Sequence, residues 1–497
     1  MWLVASFLFV AIPMASVRGD EPRAGNLVVG AADRATAETN RRVLENWIVA
    51  AKGATIQLPA GFIHLDRGLR VTGPVVLAGQ GTEKTVLKNS HIATPFGDNC
   101  SLQAWGGGYG YVDAIDGKPD GRRVVLKGNE AAKYDDAGLA YFFHYDGYTN
   151  ATGMAFGRRR VLHGIAASRT LILDGEGDQR WDSAKWLVGS PIHDIVEGAT
   201  EAKLIDPADA VSYRTGMSVY VTNGPSIGNS LLGEYRTVTA VEAGGVVRIN
   251  RPLRRGYAQA ALARIKSIDN VTIRDLTIGR PANPDSVPAF VNGCRGWRFE
   301  RCHFEGVLDL AICGDITIRD CTGDGYLRTN TSHDVTATGG RWAGYWGEEG
   351  SMDIRLESMK FVGSPQTGIG ANTETERVTV RGVRIEAARD SAVSTGGGRE
   401  WVFEDVTIAE SPKGKEAYSF FGGDRLRVNG VRSDRGVVFC SGRDMKVSGV
   451  QAPSVFLGWK NTVEVNGQAT KITTPNLRLL SKAWNVSEVV DAPPDKR

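Results

Sequence analysis

Acid–base chemistry needs acids, bases and cations that converge, and this chain gathers them most densely between residues 309 and 349. Asp309, Arg328 and Asn330 are followed by Glu348 and Glu349. Tyr326, Tyr345 and Trp346 lie beside them, and His333 sits in a turn with Asp334. Two reactions suit such a set. In hydrolysis two carboxylates flank a glycosidic bond, one as acid and one as base or nucleophile, which makes Asp309, Asp324, Glu348 and Glu349 the candidates. In β-elimination a base removes the proton beside a uronate carboxylate while cations neutralise the enolate-like charge, which brings in Arg328 with Asp309 holding or tuning it. Asn330, Tyr326, Trp346, Tyr345 and His333 are the candidates for substrate binding, the rings by stacking on sugars. A solvated Asp309–Arg328 ion pair, with under about 1 kcal/mol at stake, would leave the same trace in the sequence.

These residues can meet only if something stacks them, and a repeat does. From residue 269 onward, core-type residues return at offsets 0, 2, 5 and 7, usually as V-x-[VI]-x-x-[VLC]-x-[IF]. Copies begin at Val271, Trp297, Ile316, Val335, Ile354, Val378, Trp401, Leu426 and Met445, at intervals of 19–26 residues. Offsets 0 and 2 are the alternation of a strand with one face inward, the odd step to offset 5 is a bend, and offsets 5 and 7 form a second strand. A third run, such as LAICG or GYLRTN, closes each copy. Three short strands per copy describe one coil of a parallel β-helix, whose apolar edge is buried only by its neighbours. Counting back from each copy's start puts Asp309 beside Arg328 on the outer face of the third run. The same counting puts Trp346 inside, with Glu348 also inward unless a one-residue bulge turns it out. Cys302 and Cys321 share one offset and Cys294 and Cys313 another, so each pair is either a disulfide or a ladder of buried thiols.

Composition agrees with a large, often-turning β protein: 497 residues, 61 of them Gly, with 42% hydrophobic residues. Fifty-nine Lys and Arg against 56 Asp and Glu leave +3, which points to no nucleic-acid partner. Residues 2–15 are apolar and precede small residues and Asp20-Glu21, the pattern of a signal peptide over 1–19 and hence of a secreted or periplasmic protein. No later segment is long enough for stable membrane insertion. Residues 35–53 read as an amphipathic helix carrying Val43, Leu44, Trp47 and Ile48 on its apolar face. The chain divides into a cap and first coils (20–88), coils with an inserted β-rich unit (89–264), β-helix repeats (265–470) and a C-terminal cap and tail (471–497). Within the insertion, GMSVYVTNGP, GEYRTVTAVEAGG and VVRINRPLRRGY read as antiparallel strands. The pair Arg254-Arg255 could attract an acidic polymer.

The helix, TIQLPAGFIHLDRGLRV and VVLAGQGTEKTVL resemble the N-terminal cap and first coils of the pectate-lyase-like right-handed β-helix superfamily, in its branch related to family 28 glycoside hydrolases. The resemblance implies an all-β, right-handed parallel β-helix with an N-terminal capping helix and a β-rich insertion. It also implies an exported enzyme acting on a polysaccharide, with β-elimination of an acidic, uronate-containing glycan ahead of hydrolysis, and a non-catalytic glycan-binding or surface protein as the rival. Because members of that superfamily use Arg or Lys as the base, Arg328 is the candidate base. The Asn-Thr-Asp, Asp-Asp and Gly-His-Gly segments of the hydrolase branch are not intact here. No cofactor or metal site is evident, calcium has no supporting motif, and nothing in the sequence names an oligomeric state.

Overall fold

The computed structural model describes residues 27–92, 99–106, 185–225, 231–258, 260–348, 350–372, 375–395, 398–410, 418–440, 442–458, 465–481 and 483–490, and the strands 109–116, 123–126, 139–143, 157–165 and 170–173. The chain is a right-handed parallel β-solenoid of about 14 turns. In a typical coil, Gly314–Arg319, Thr322–Gly323 and Tyr326–Asn330 stack in parallel on His333–Thr338, Arg341–Trp342 and Gly344–Gly347. The first two strips merge into one 23-stranded sheet, and the third forms a separate sheet of 12 strands.

The bend expected between offsets 2 and 5 is a single residue at offset 4. It is left-handed in each of the nine copies, as at Asp275 (φ 58°), Asp320 (φ 52°), Ser358 (φ 53°) and Gly430 (φ 79°). A second left-handed residue precedes every copy, including Asp315, Asp334 and Asp353. Side chains other than Gly pay roughly 1–2 kcal/mol for this conformation. The packing that each bend permits offsets that cost. Ile318, Ala337, Leu356 and Val380 form one interior column at 0–1% exposure, and Phe304 stacks on Trp342 at 5.5 Å. Each large apolar side chain so buried contributes about 1.5–3 kcal/mol. Coils continue past the last copy read from sequence: Gly467–Thr473 pairs with Trp484–Val490, so paired strands run well into the segment expected to be a cap and tail.

The cap is α1 (Arg34–Ala51), whose first turn is closed by the Asp33 carboxylate accepting from the Thr36 N–H at 3.0 Å. Leu44 and Ile48 enter the solenoid core while Trp47 packs at its edge. Buried Arg41 bonds Asp66 at 2.6 Å, which ties α1 to the first coil.

The coils skip the middle of the sequence. Leu102–Trp105 pairs directly with Ala289–Asn292, and Val76–Ala78 pairs with Thr272–Arg274. The intervening chain is looped out as an 11-stranded antiparallel sheet, within which Ser218–Pro225, Leu231–Glu242 and Val246–Ile249 are successive antiparallel partners. All six cysteines are free thiols. Cys302 and Cys321 stack without bonding, the Cys302 N–H donating to the Cys321 Sγ at 3.4 Å, and burial pushes the Cys302 thiol well above its ordinary value.

Candidate functional site

The third strip carries the cluster. Its outer row runs Phe290, Asp309, Arg328, Trp346, Gly370 and Ser394, each opposite the next. Its inner row includes Leu308, Leu327, Tyr345 and Ile369, all at 0% exposure. This corrects two assignments. Tyr326 pairs with Gly344, so this coil is one residue shorter than its predecessors, and counting back from the next copy slips by one. Trp346 therefore faces outward, and Tyr345 points into the core, where its hydroxyl bonds Thr329 Oγ1 at 2.9 Å and burial raises its phenol well above the ordinary range. No sugar reaches Tyr345.

Arg328 holds the centre. Its Nη2 donates to Asp309 Oδ2, and its Nη1 lies 3.8 Å from Glu348 Oε1. Glu348 follows the last residue of its strand and turns out of the core, where Asn330 Nδ2 donates to its Oε2 at 2.7 Å. Its main chain is pinned as well, the N–H donating to the Thr329 carbonyl at 2.7 Å and the carbonyl accepting from Thr375 Oγ1 at 3.1 Å. Exposure differs across the three: the Asp309 side chain is 7% exposed, Arg328 35% and Glu348 22%. Asp309 Oδ1 is buried without a hydrogen-bond partner, so this carboxylate depends on Arg328. Glu349 lies outside the described residues.

Two half-buried rings lie on the strip beside these groups. A Cβ added at Gly370 would collide with the six-membered ring of Trp346, and one added at Gly344 would collide with Tyr326, so each ring lies over the glycine of the next coil. Tyr326 is also tethered, its hydroxyl 2.7 Å from Ser364 Oγ. Toward the N-terminal coils the strip continues with Phe290 and Trp105, ring centroids 4.9 Å apart, and the Trp105 Nε1–H donates to Gln103 Oε1 at 2.8 Å.

The inserted unit walls the C-terminal edge of the strip, because it docks on the turns that follow the third strands. Ile312 packs with Tyr220, Tyr235 and Ile265, and Arg251 pairs with Asp334 at 2.5 Å. His333, expected in a solvated turn beside substrate, is instead fully buried under this wall. Its Nδ1 accepts from the Tyr235 N–H at 3.3 Å, which leaves the proton on Nε2 to donate to the Gly350 carbonyl at 3.0 Å. Burial, with Arg236 and Arg377 nearby, pushes its imidazole down to about 3. Arg255 is also spent on docking, its Nε donating to Glu376 at 3.2 Å, while the main-chain N–H groups of Arg254 and Arg255 donate to buried Glu234 within the inserted unit.

No family model matches the chain, and no curated protein does. Solved structures do. The tailspike gp61 of Pseudomonas phage phi297 aligns at 12% identity over 93% of this chain and 70% of its own, with a TM-score of 0.52. The gp54 tailspike of Acinetobacter baumannii bacteriophage AP22, solved in complex with a capsular saccharide, aligns at 10% identity over 93% of this chain and 73% of its own, also at 0.52. The likeness is one of fold, a right-handed parallel β-helix. On this β-helix the sequence alone missed Gln103 and Trp105, although Leu102 and Ala104 alternate with them as Leu308 and Leu310 do with Asp309 and Ala311. Among the described residues of the β-helix, no three His, Cys, Asp or Glu side chains are placed to hold a metal ion.

Proposed function

We propose that the chain is an exported polysaccharide-active enzyme that cleaves a uronate-containing glycan by β-elimination on the third strip. The observation that carries this reading is the contrast in access within the cluster. Arg328 and Glu348, a cation and a carboxylate, reach solvent, whereas Asp309 does not. Hydrolysis would need two carboxylates at the bond, and of the two that contact Arg328, Asp309 and Glu348, only Glu348 is open to it. A cation beside a carboxylate is what elimination uses.

The roles follow from the contacts. A guanidinium already donating to Asp309 offers the very proton a base would have to lack. Arg328 is thus better suited to neutralise the uronate carboxylate and the enolate-like charge than to serve as the base. Glu348 takes the proton beside that carboxylate, with Asn330 orienting it, the bond to the glycosidic oxygen breaks as the carbon–carbon double bond forms, and the leaving oxygen takes a proton from water. Asp309 is a positioning residue that fixes the guanidinium, and Trp346 and Tyr326 provide a floor on which sugar rings stack. The saccharide seen on the gp54 tailspike supports a polymer as ligand of this fold.

The test is a panel of acidic and neutral polysaccharides, assayed in parallel for reducing ends and near-ultraviolet absorbance. Absorbance together with new ends on a uronate polymer is the expected result. New ends without absorbance would make the chain a hydrolase, and silence on both channels with retention on immobilised glycan would make it a binding protein.

A further inference from the structure

A second feature lies on a different face of the solenoid. The outward side of the first strip, from the coil of Ile354 to that of Ala469, forms two clefts of about 500 and 400 Å3 that share Thr379, Val402 and Arg427 and so make one trough. It begins at the foot of the inserted unit. Its rungs run Arg355, Thr379, Val402, Arg427, Lys446 and Gln468, each opposite the next. At a strand spacing of about 4.8 Å those five steps span about 24 Å.

The charges in the trough are unevenly committed. Six cations and three carboxylates line it. Each carboxylate is taken by an arginine: Asp353 by Arg377 at 2.7 Å, Glu404 by Arg381 at 2.6 Å and Glu400 by Arg425 at 2.8 Å. Among the described residues this leaves Arg355, Arg427 and Lys446 with no carboxylate partner, all three exposed and all three in one row along the helix axis. Their combined charge equals the net +3 of the whole chain. Asn429, Ser448 and Thr470 flank the row with amide and hydroxyl groups. Among the described residues no Trp or Tyr lines the trough, so recognition by its described lining works through charge and hydrogen bonds rather than stacking.

We propose that this trough is a second binding site, for a linear anionic polysaccharide laid along the helix axis, with Arg355, Arg427 and Lys446 contacting its carboxylate or sulfate groups. An extended pyranose chain advances by about one rung per sugar, which matches a row of binding groups set by strand spacing. Arginine presents paired donors suited to carboxylate and sulfate oxygens. The trough lies apart from the Arg328 cluster and holds polymer without cleaving it. The proposal rests on the glycan reading of the chain, which it extends to an acidic polymer.

The experiment uses the full chain, the triple variant Arg355→Gln, Arg427→Gln, Lys446→Gln, and the variant Arg328→Ala. Each is measured by affinity electrophoresis against polygalacturonate, alginate, dextran sulfate, neutral dextran and poly(dT). The three glutamines replace exposed side chains, and an unchanged thermal midpoint confirms folding. The expected result is an affinity for the acidic polysaccharides that falls about tenfold or more in the triple variant, with a smaller change in Arg328→Ala and no binding of neutral dextran. Wild-type binding should also weaken steeply as salt rises. Equal retention of the triple variant and wild type would overturn the site, as would no wild-type retention, or poly(dT) held as tightly as polygalacturonate. Turnover lost in Arg328→Ala while the triple variant binds normally would remove the trough and leave the proposed reaction standing. Polymer retention that depends on the triple set, in a protein with no turnover, would do the reverse.

Discussion

Acid should loosen the inserted unit from the coils through His333. The ring is neutral in the folded chain, with Nδ1 accepting from the Tyr235 N–H and Nε2 donating to the Gly350 carbonyl. A proton added to Nδ1 would set donor against donor and place a charge in a fully buried site beside Arg236 and Arg377, against which Asp353 and the Gly350 carbonyl pull the other way. In the unfolded chain the imidazole titrates near 6.5, and in the folded chain near 3. Above about pH 6.5 neither state binds the proton and stability is unaffected. Between there and about pH 3 only the unfolded state binds it, so stability falls as pH falls, and below that range the full loss persists. At about 1.4 kcal/mol per tenfold change in proton affinity, the loss reaches about 2 kcal/mol at pH 5 and about 5 kcal/mol at its limit. The variant His333→Asn keeps an acceptor for the Tyr235 N–H and removes the titration. It should be about 1–3 kcal/mol less stable than wild type at neutral pH, for the lost Gly350 bond and the smaller side chain. Urea unfolding followed by tryptophan fluorescence between pH 7.5 and 5 should show wild type losing about 2 kcal/mol more than the variant. Parallel pH dependences for the two proteins would refute the assignment.

Other consequences are open to direct measurement. Arg328→Ala should abolish turnover and cost about 1–3 kcal/mol, because Asp309 is left buried and unpaired; chemical denaturation with Asp309→Asn added should recover most of that stability and none of the activity. Gly370→Ala should push the Trp346 ring off the strip, raising KM for polymer several-fold in steady-state kinetics. Its thermal midpoint should change little, since a half-exposed ring can swing aside at about 0.5–1.5 kcal/mol. Reductant should leave the thermal midpoint unchanged, and a thiol reagent should find Cys294, Cys302, Cys313 and Cys321 unreactive until the chain unfolds.

The solenoid was readable because its period is enforced residue by residue. The odd step in the repeat is one left-handed position, and Asp, Ser and Gly, which tolerate that conformation or bond locally in turns, hold it in eight of the nine copies. The Asp309–Arg328 alignment followed from the same arithmetic. It failed one coil later, where a shortened turn exchanges Tyr345 and Trp346 between core and surface, because neither aromatic residue betrays by type which side it faces. His333 was misjudged for a different reason. Alternation within residues 218–249 announces antiparallel strands but carries no signal of which turns they cover, and only the docked unit shows that the ring is sealed beneath Tyr220 and Tyr235. Gln103 and Trp105 escaped because their four-residue strand lies between a two-residue partner upstream and a partner beyond the whole insertion, and so has no regular period against which to be read.

The looped-out insertion also bears on how the chain comes off the ribosome. The first two coils stack on each other, but the second has no further neighbour until the strands beginning at Thr272 arrive: Thr277 donates to the carbonyl of Thr82 across 195 positions of sequence. At about 5–20 residues per second, synthesis of that interval takes about 10–40 s. Throughout that time the strands of the second coil present an unpaired apolar end. The nascent chain therefore spends its early life with one stacked interface where the finished solenoid has many, a state exposed to aggregation if synthesis stalls.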